Sequence, residues 1–343
     1  MKEDQRINSL KGLLVLLIVF HHVAGPGRRT STPALDLFDQ AISFARMPLF
    51  VVISGYLFGL PKSGPFSFKR YLSGRLKRLL VPTVICFAAA QSLSTGLGLK
   101  HRGGPWWHFP FISYAHLGSA GSHLWYAQSL FFALIGLAAL ESRELLASKR
   151  RCISLLVATS LVQVFALGKH REYLMDQIAP DWLSAWGLIY MLPFLLFGLC
   201  VARFEWLTSI RLRTLAMVSV AIAIANLPWN LSRGLAVPDD GEVLTLLGGF
   251  GASVLAFQYM PVSSILSALG RLALPMYLLH PFALAFAYQA ARWANLSVNQ
   301  TWILPLLIWA LGVPLALISA WRLLVSFFTV QARGEANQPA STG

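Results

Sequence analysis

Three ionisable side chains near the start of the chain flank an apolar run at a spacing suited to chemistry. Lys11 precedes GLLVLLIVF, and His21 and His22 follow it. Titratable groups at membrane depth are costly and, where they persist, are usually functional. On a helix, eleven steps of about 100° bring His22 to within ~20° of the Lys11 face, roughly 16 Å further along the axis. His21 lies about 80° off that face. An imidazole, with an ordinary pKa of about 6.5, can accept a proton at neutral pH. One helix thus carries a cation toward one membrane surface and a base toward the other, an arrangement that suits chemistry carried out across a bilayer.

The elements that must position these groups are membrane helices. Of the 343 residues, 56% are hydrophobic and only 12% are charged. Soluble domains carry about twice that charged fraction. Repeated apolar stretches of ~20 residues are long enough to span ~30 Å of hydrocarbon. The expected fold is all-α and polytopic, with about ten transmembrane helices near 9–25, 41–60, 79–96, 124–140, 152–168, 183–202, 213–229, 242–259, 271–291 and 302–327. Residues 1–330 form a single transmembrane domain, and 331–343 (QARGEANQPASTG) a polar, disordered cytoplasmic tail. The first stretch also has the outline of a secretory signal, but it runs into two histidines and Gly25-Pro26-Gly27 without a small-x-small cleavage site. It is read as an uncleaved span.

The net charge is +14, and most of the 28 lysines and arginines fall in alternate connections, which places both termini in the cytoplasm by the positive-inside rule. No soluble basic domain is left to grip nucleic acid. The 61–78 connection holds Lys62, Lys69, Arg70, Arg75, Lys77 and Arg78 and no acid. It suits lipid headgroups, the phosphates of a cytosolic cofactor, or both. The external 97–123 connection is rich in glycine, aromatics and histidine. Its His101, His108, His116 and His123 lack metal-ligand spacing, so no metal is expected. Trp106, Trp107 and Phe109 suit sugar stacking or an interfacial belt. Cys86, Cys152 and Cys200 lie in or beside apolar segments with no CxxC, as small buried hydrophobes do. All fourteen acids are expected in loops or at span ends. No Walker motif, HExxH, GxSxG or internal repeat is present.

Five segments in order resemble the acyltransferase-3 family of integral membrane acyltransferases, which includes bacterial O-acetylases of sugars and polysaccharides. RINSLKGLLVLLIVFHHV (6–23) resembles its opening helix, where a basic residue and glycine precede a histidine with ten residues between; Lys11-Gly12 and His22 satisfy this. Lysine in place of arginine resembles fucose O-acetylase-like members. FARMPLFVVISGYLF (44–58) is similar to the family's second helix, and FKRYLSGRLKRLLVP (68–82) to the basic run and proline that open its third. HLWYAQSLF (123–131) and LGRLALPMYLLHP (269–281) are similar to two later elements. Two departures stand out: Asn8 where many members have Asp, and His21 where glycine is usual.

The resemblance implies acyl-CoA, foremost acetyl-CoA, as a cytoplasmic donor substrate with no permanently bound cofactor. The acceptor is a hydroxyl of a glycan or lipid-linked saccharide, and the setting is a bacterial inner membrane. Monomer and homodimer stay open. In this frame His22 is the general base, and Arg46 serves the transfer region or the acceptor. Lys11, Arg75 and Arg78 hold the donor's phosphates, and Trp125, Tyr277 and His280 contact the acceptor. Each has a plainer rival. His22 can cap a helix, Arg46 can snorkel to headgroups, and Arg75 and Arg78 can be topogenic. Ser54-Gly55 suits a close helix contact, Trp125 a packing anchor, and Tyr277 with His280 a structural pair on one helix face. A secondary transporter is the alternative function, disfavoured by the expected absence of acids inside the spans.

Overall fold

The computed structural model describes residues 2–25, 30–61, 64–96, 125–167, 185–226 and 243–336. Among these there is no strand. The helices are α1 (Lys2–Ala24), α2 (Pro33–Gly59), α3 (Phe68–Arg75), α4 (Val81–Gly96), α5 (Trp125–Ser142) and α6 (Lys149–Leu167), then α7 (Ala185–Arg203), α8 (Ile210–Ala225), α9 (Val243–Tyr259), α10 (Ser264–Gly270), α11 (Ala273–Trp293) and α12 (Ile303–Ala336). A helix occupies each of the ten expected apolar stretches. By length and apolarity, three segments among the described residues can cross a membrane: Gln5–Ala24, Pro33–Gly59 and Gln300–Arg322. The pair α10–α11, bent by 78°, makes a fourth if counted as one broken span. Tyr126–Ser142, Gly187–Arg203 and Val243–Tyr259 are apolar but shorter. Large apolar side chains face outward, Phe165 and Trp321 each 68% exposed, which suits lipid rather than water. The chain is an all-α polytopic membrane protein.

Four boundaries differ most from expectation. α1 begins at Lys2 and α2 at Pro33, because polar first turns continue helices whose hydropathy signal starts later. The 61–78 connection is helical from Phe68 onward and passes through a π turn, Leu76–Leu80, into α4. α12 runs to Ala336, past the expected boundary at 330. The 97–123 connection, with its histidines and tryptophans, lies outside the described residues, as do residues 337–343.

α1 is the central element because it is apolar on two faces. Leu10, Leu14 and Ile18, spaced four apart, join the larger core with Val52, Leu137, Phe194 and Leu246. Val15, Val19 and Val23 join a second core with Met276, Leu284, Leu306 and Ala310 of α11 and α12. Between these stripes lie Lys11 and His22.

Two crossings hold α1 and α2 in place by backbone-to-backbone approach. A Cβ at Gly55 would collide with the Leu195 carbonyl of α7, and one at Gly198 with the Val52 carbonyl of α2. At the other crossing Gly12 meets Leu266 and Gly270 meets Asn8, so α10 lies directly on α1 around Lys11. Ser9 fastens the same crossing, its Oγ bonding the Ser263 carbonyl and N–H at 3.1 Å each. Small residues are what such membrane helix contacts require. The contact expected for Ser54-Gly55 is therefore present at Gly55. Ser54 instead donates to Phe50 O within its own helix.

Gly55→Val should force α2 away from α7, at a cost of about 1–3 kcal/mol or more. Thermal unfolding of detergent-purified protein should show a lower midpoint than wild type. An unchanged midpoint would mean the helices are not in this contact.

Candidate functional site

The end of α1 and the start of α2 lie together, and local sequence explains how. Thr30 donates its hydroxyl to the Val23 carbonyl. Thr32 then caps α2 by accepting from Leu35 N–H at 3.3 Å, with Pro33 in the first turn and Asp36 adding an acid there. From this start Asp39 and Arg46, seven residues apart, fall two turns apart on one face.

Arg46 Nη1 donates to Asp39 Oδ1 at 2.5 Å. The other carboxylate oxygen, Oδ2, lies 2.8 Å from His21 Nδ1. A carboxylate only accepts, so Nδ1 carries the proton in that bond. The Asp39 side chain is 3% exposed, Arg46 9% and His21 30%. The pair is sequestered while the imidazole is reachable.

His22, one residue on, turns toward α11. Its ring stands 5.2 Å from that of His21 and 5.1 Å from that of the fully buried His280. His280 Nδ1 donates to Met276 O at 3.1 Å, which sets its neutral tautomer. Tyr277 lies 6.2 Å from His280, and Tyr126 of α5 lies 5.7 Å from Tyr277 and 6.3 Å from Phe50. Arg46, Asp39, His21, His22 and His280 thus form a row from α2 across α1 to α11, with Tyr277, backed by Tyr126, beside His280. Among the described residues, no group of three or more His, Cys, Asp or Glu side chains is placed to hold a metal.

The opposite end of the bundle is basic and aromatic. Arg75, half-buried at the end of α3, places its guanidinium 4.9 Å from the centre of the Tyr71 ring, a cation–π contact. Tyr71 meets Phe58 of α2 edge-on at 5.3 Å and Phe66 at 5.8 Å. Burial pushes the Tyr71 phenol up, against the opposing pull of the Arg75 charge, so the ring stays neutral beside the cation. Arg78, in the π turn, is exposed.

Of the residues singled out by sequence, His22, Arg46, Tyr277 and His280 come together at one end. Arg75 and Arg78 lie at the other. Lys11 is half-buried and deeper than expected: with the helix starting at Lys2, it sits roughly 14 Å into α1. Trp125 opens α5, but its side chain lies outside the described residues. Sequence reasoning missed Asp39 and Tyr126. Asp39 also corrects the expectation that every acid sits in a loop or at a span end, since it is buried within a membrane-length helix. Its signal was the Thr-Pro start at 32–33 combined with the seven-residue step to Arg46. Cys152 and Cys200 are buried and Cys86 is half-buried, all three as free thiols.

A family model described as an acyltransferase domain matches residues 4–325, nearly the whole chain. No curated protein and no solved structure matches it. The match takes in the row of ionisable groups, the basic end and every helix between them, and the chain belongs to the acyltransferase-3 family of membrane acyltransferases.

Proposed function

We propose that this membrane acyltransferase moves a short acyl group, foremost acetyl, from cytoplasmic acyl-CoA to a hydroxyl of a saccharide in an exported or cell-surface glycan. The setting proposed is a bacterial inner membrane with both termini in the cytoplasm. Lysine at position 11 favours the branch that includes fucose O-acetylases. The observation that carries this reading is the polarity of α1: a cation partway along it, with Arg75 and Arg78 beyond, and paired imidazoles at its far end.

The chemistry is assigned as follows. Arg75 and Arg78 hold the donor's phosphates at the cytoplasmic mouth, with Lys11 further in. The pantetheine arm carries the thioester along α1 toward His22. His22 takes the hydroxyl proton as the acceptor oxygen attacks the thioester carbon. The tetrahedral oxyanion collapses, the C–S bond breaks, and the CoA thiolate leaves and regains a proton. Arg46 supplies positive charge on the transfer side, where oxyanion stabilisation counts most. Tyr277, His280 and Trp125 line the acceptor's place. Asp39, buried in a span, is a feature that secondary carriers share, so transport of a saccharide or acyl group is the second reading. The two differ in whether a covalent bond is made.

Mass spectrometry of cell-surface glycan from a strain lacking the protein should show the loss of one acyl mass increment. Wild type should restore it and His22→Ala should not. Restoration by His22→Ala but not by His21→Ala would move the base to His21, and an unchanged glycan in the deletion strain would remove the enzymatic reading. On the donor side, Arg75→Ala with Arg78→Ala should weaken acetyl-CoA binding by tenfold or more, at about 1.4 kcal/mol per tenfold. Isothermal titration of purified protein reads this directly, and unchanged affinity would dismiss the phosphate cradle.

A further inference from the structure

We propose that Asp39 is the positioning residue of the transfer end, holding Arg46 on one carboxylate oxygen and His21 on the other and thereby setting the direction of His22. The inference deepens the acyl-transfer reading and rests on it. It concerns a residue that the sequence motifs pass over.

One carboxylate serves two helices. Arg46 bonds Oδ1 at 2.5 Å and His21 bonds Oδ2 at 2.8 Å, so a single side chain ties α2 to the last turn of α1. Arg46 stands midway along the 27 residues of α2, where an unpaired cation is costly. Paired with Asp39, it is 9% exposed, with its charge kept inside the bundle.

Consecutive residues on a helix point about 100° apart. Once His21 is tied to α2, the last turn of α1 can present His22 in one direction only, and that direction is toward α11. There His22 meets the ring of His280 at 5.1 Å. Val23, the next residue, is fully buried and bonded at its carbonyl by Thr30, so the turn is fixed from both sides.

Both oxygens of the Asp39 carboxylate are engaged, Oδ1 by Arg46 and Oδ2 by His21, so its charge is spent on those two groups. Asp39 therefore acts through its neighbours.

The test uses membrane vesicles from cells expressing the full chain, which contain the native acceptor. Radiolabelled acetyl-CoA is added, and label in glycan is measured against donor concentration per unit of immunoblotted protein. Asp39→Asn should lower the maximal rate about a hundredfold, the scale of a small misplacement of reacting groups. The apparent KM for acetyl-CoA should stay within about twofold, because the donor's phosphates bind at the opposite end. Asp39→Glu, which keeps the charge, should recover part of the rate. His21→Gln, whose amide can still donate to Asp39, should retain more activity than His21→Leu.

A near-wild-type rate for Asp39→Asn, or a raised KM at an unchanged rate, would overturn the assignment. So would equal loss in His21→Gln and His21→Leu. If Asp39→Asn protein does not accumulate, Asp39→Glu and the two His21 variants decide the matter alone. Absence of label with wild-type vesicles would remove the acyl-CoA reading instead. The role of Asp39 would then be judged by glycan acylation in cells carrying the same variants.

Discussion

The carboxylate of Asp39 is shared between Arg46 of its own helix and His21 of the preceding one, and the rest of the transfer end depends on that sharing. A charge inside an apolar bundle persists only when paired, and removing one partner of such a pair typically costs about 3–5 kcal/mol. Here the pairing also performs work between helices. It fixes the closing turn of α1, commits His21 to α2, and so commits His22 to α11 and His280. The glycine crossings supply the complementary constraint, because Gly12, Gly55, Gly198 and Gly270 let backbones touch and leave little freedom to slide.

These constraints give α1 a distinct role. It is shared by two hydrophobic cores, and the stripe between its two apolar faces carries the residues that are neither apolar nor turned to lipid. Lys11 and His22 lie on that stripe, flanked by α10 at one level and α11 at the other. The cation–π stack of Arg75 on Tyr71, braced by Phe58 and Phe66, keeps the basic end fixed relative to α2.

Much of this was legible in the sequence. Hydropathy located a helix at each of ten stretches, and the face calculation separated His21 from His22 as the structure does. Residue size alone points to a helix contact at Ser54-Gly55, and Gly55 makes it. What hydropathy could not supply was helix length beyond the apolar window. The polar first turn from Lys2 placed Lys11 deeper than its position in the apolar run suggested, and the start of α2 at Pro33 brought Asp39 into the helix. That start was marked by Thr32, Pro33 and Asp36, a local signal that hydropathy overlooks. The meeting of Asp39 with His21 is a tertiary contact, and no periodicity encodes it. Helix α10 falls in the connection before the expected 271–291 stretch, and its 78° bend against α11 is likewise a tertiary feature.

The central claim is that donor and acceptor reach one imidazole end from opposite sides of the membrane. Proteoliposomes with the protein oriented in one direction, labelled acetyl-CoA on the side of Arg75 and a saccharide acceptor sealed on the side of His22, test it directly. The account predicts acylated saccharide on the sealed side and free CoA on the donor side. Product formed only when both substrates share a compartment, or labelled donor crossing without a new bond, would contradict it.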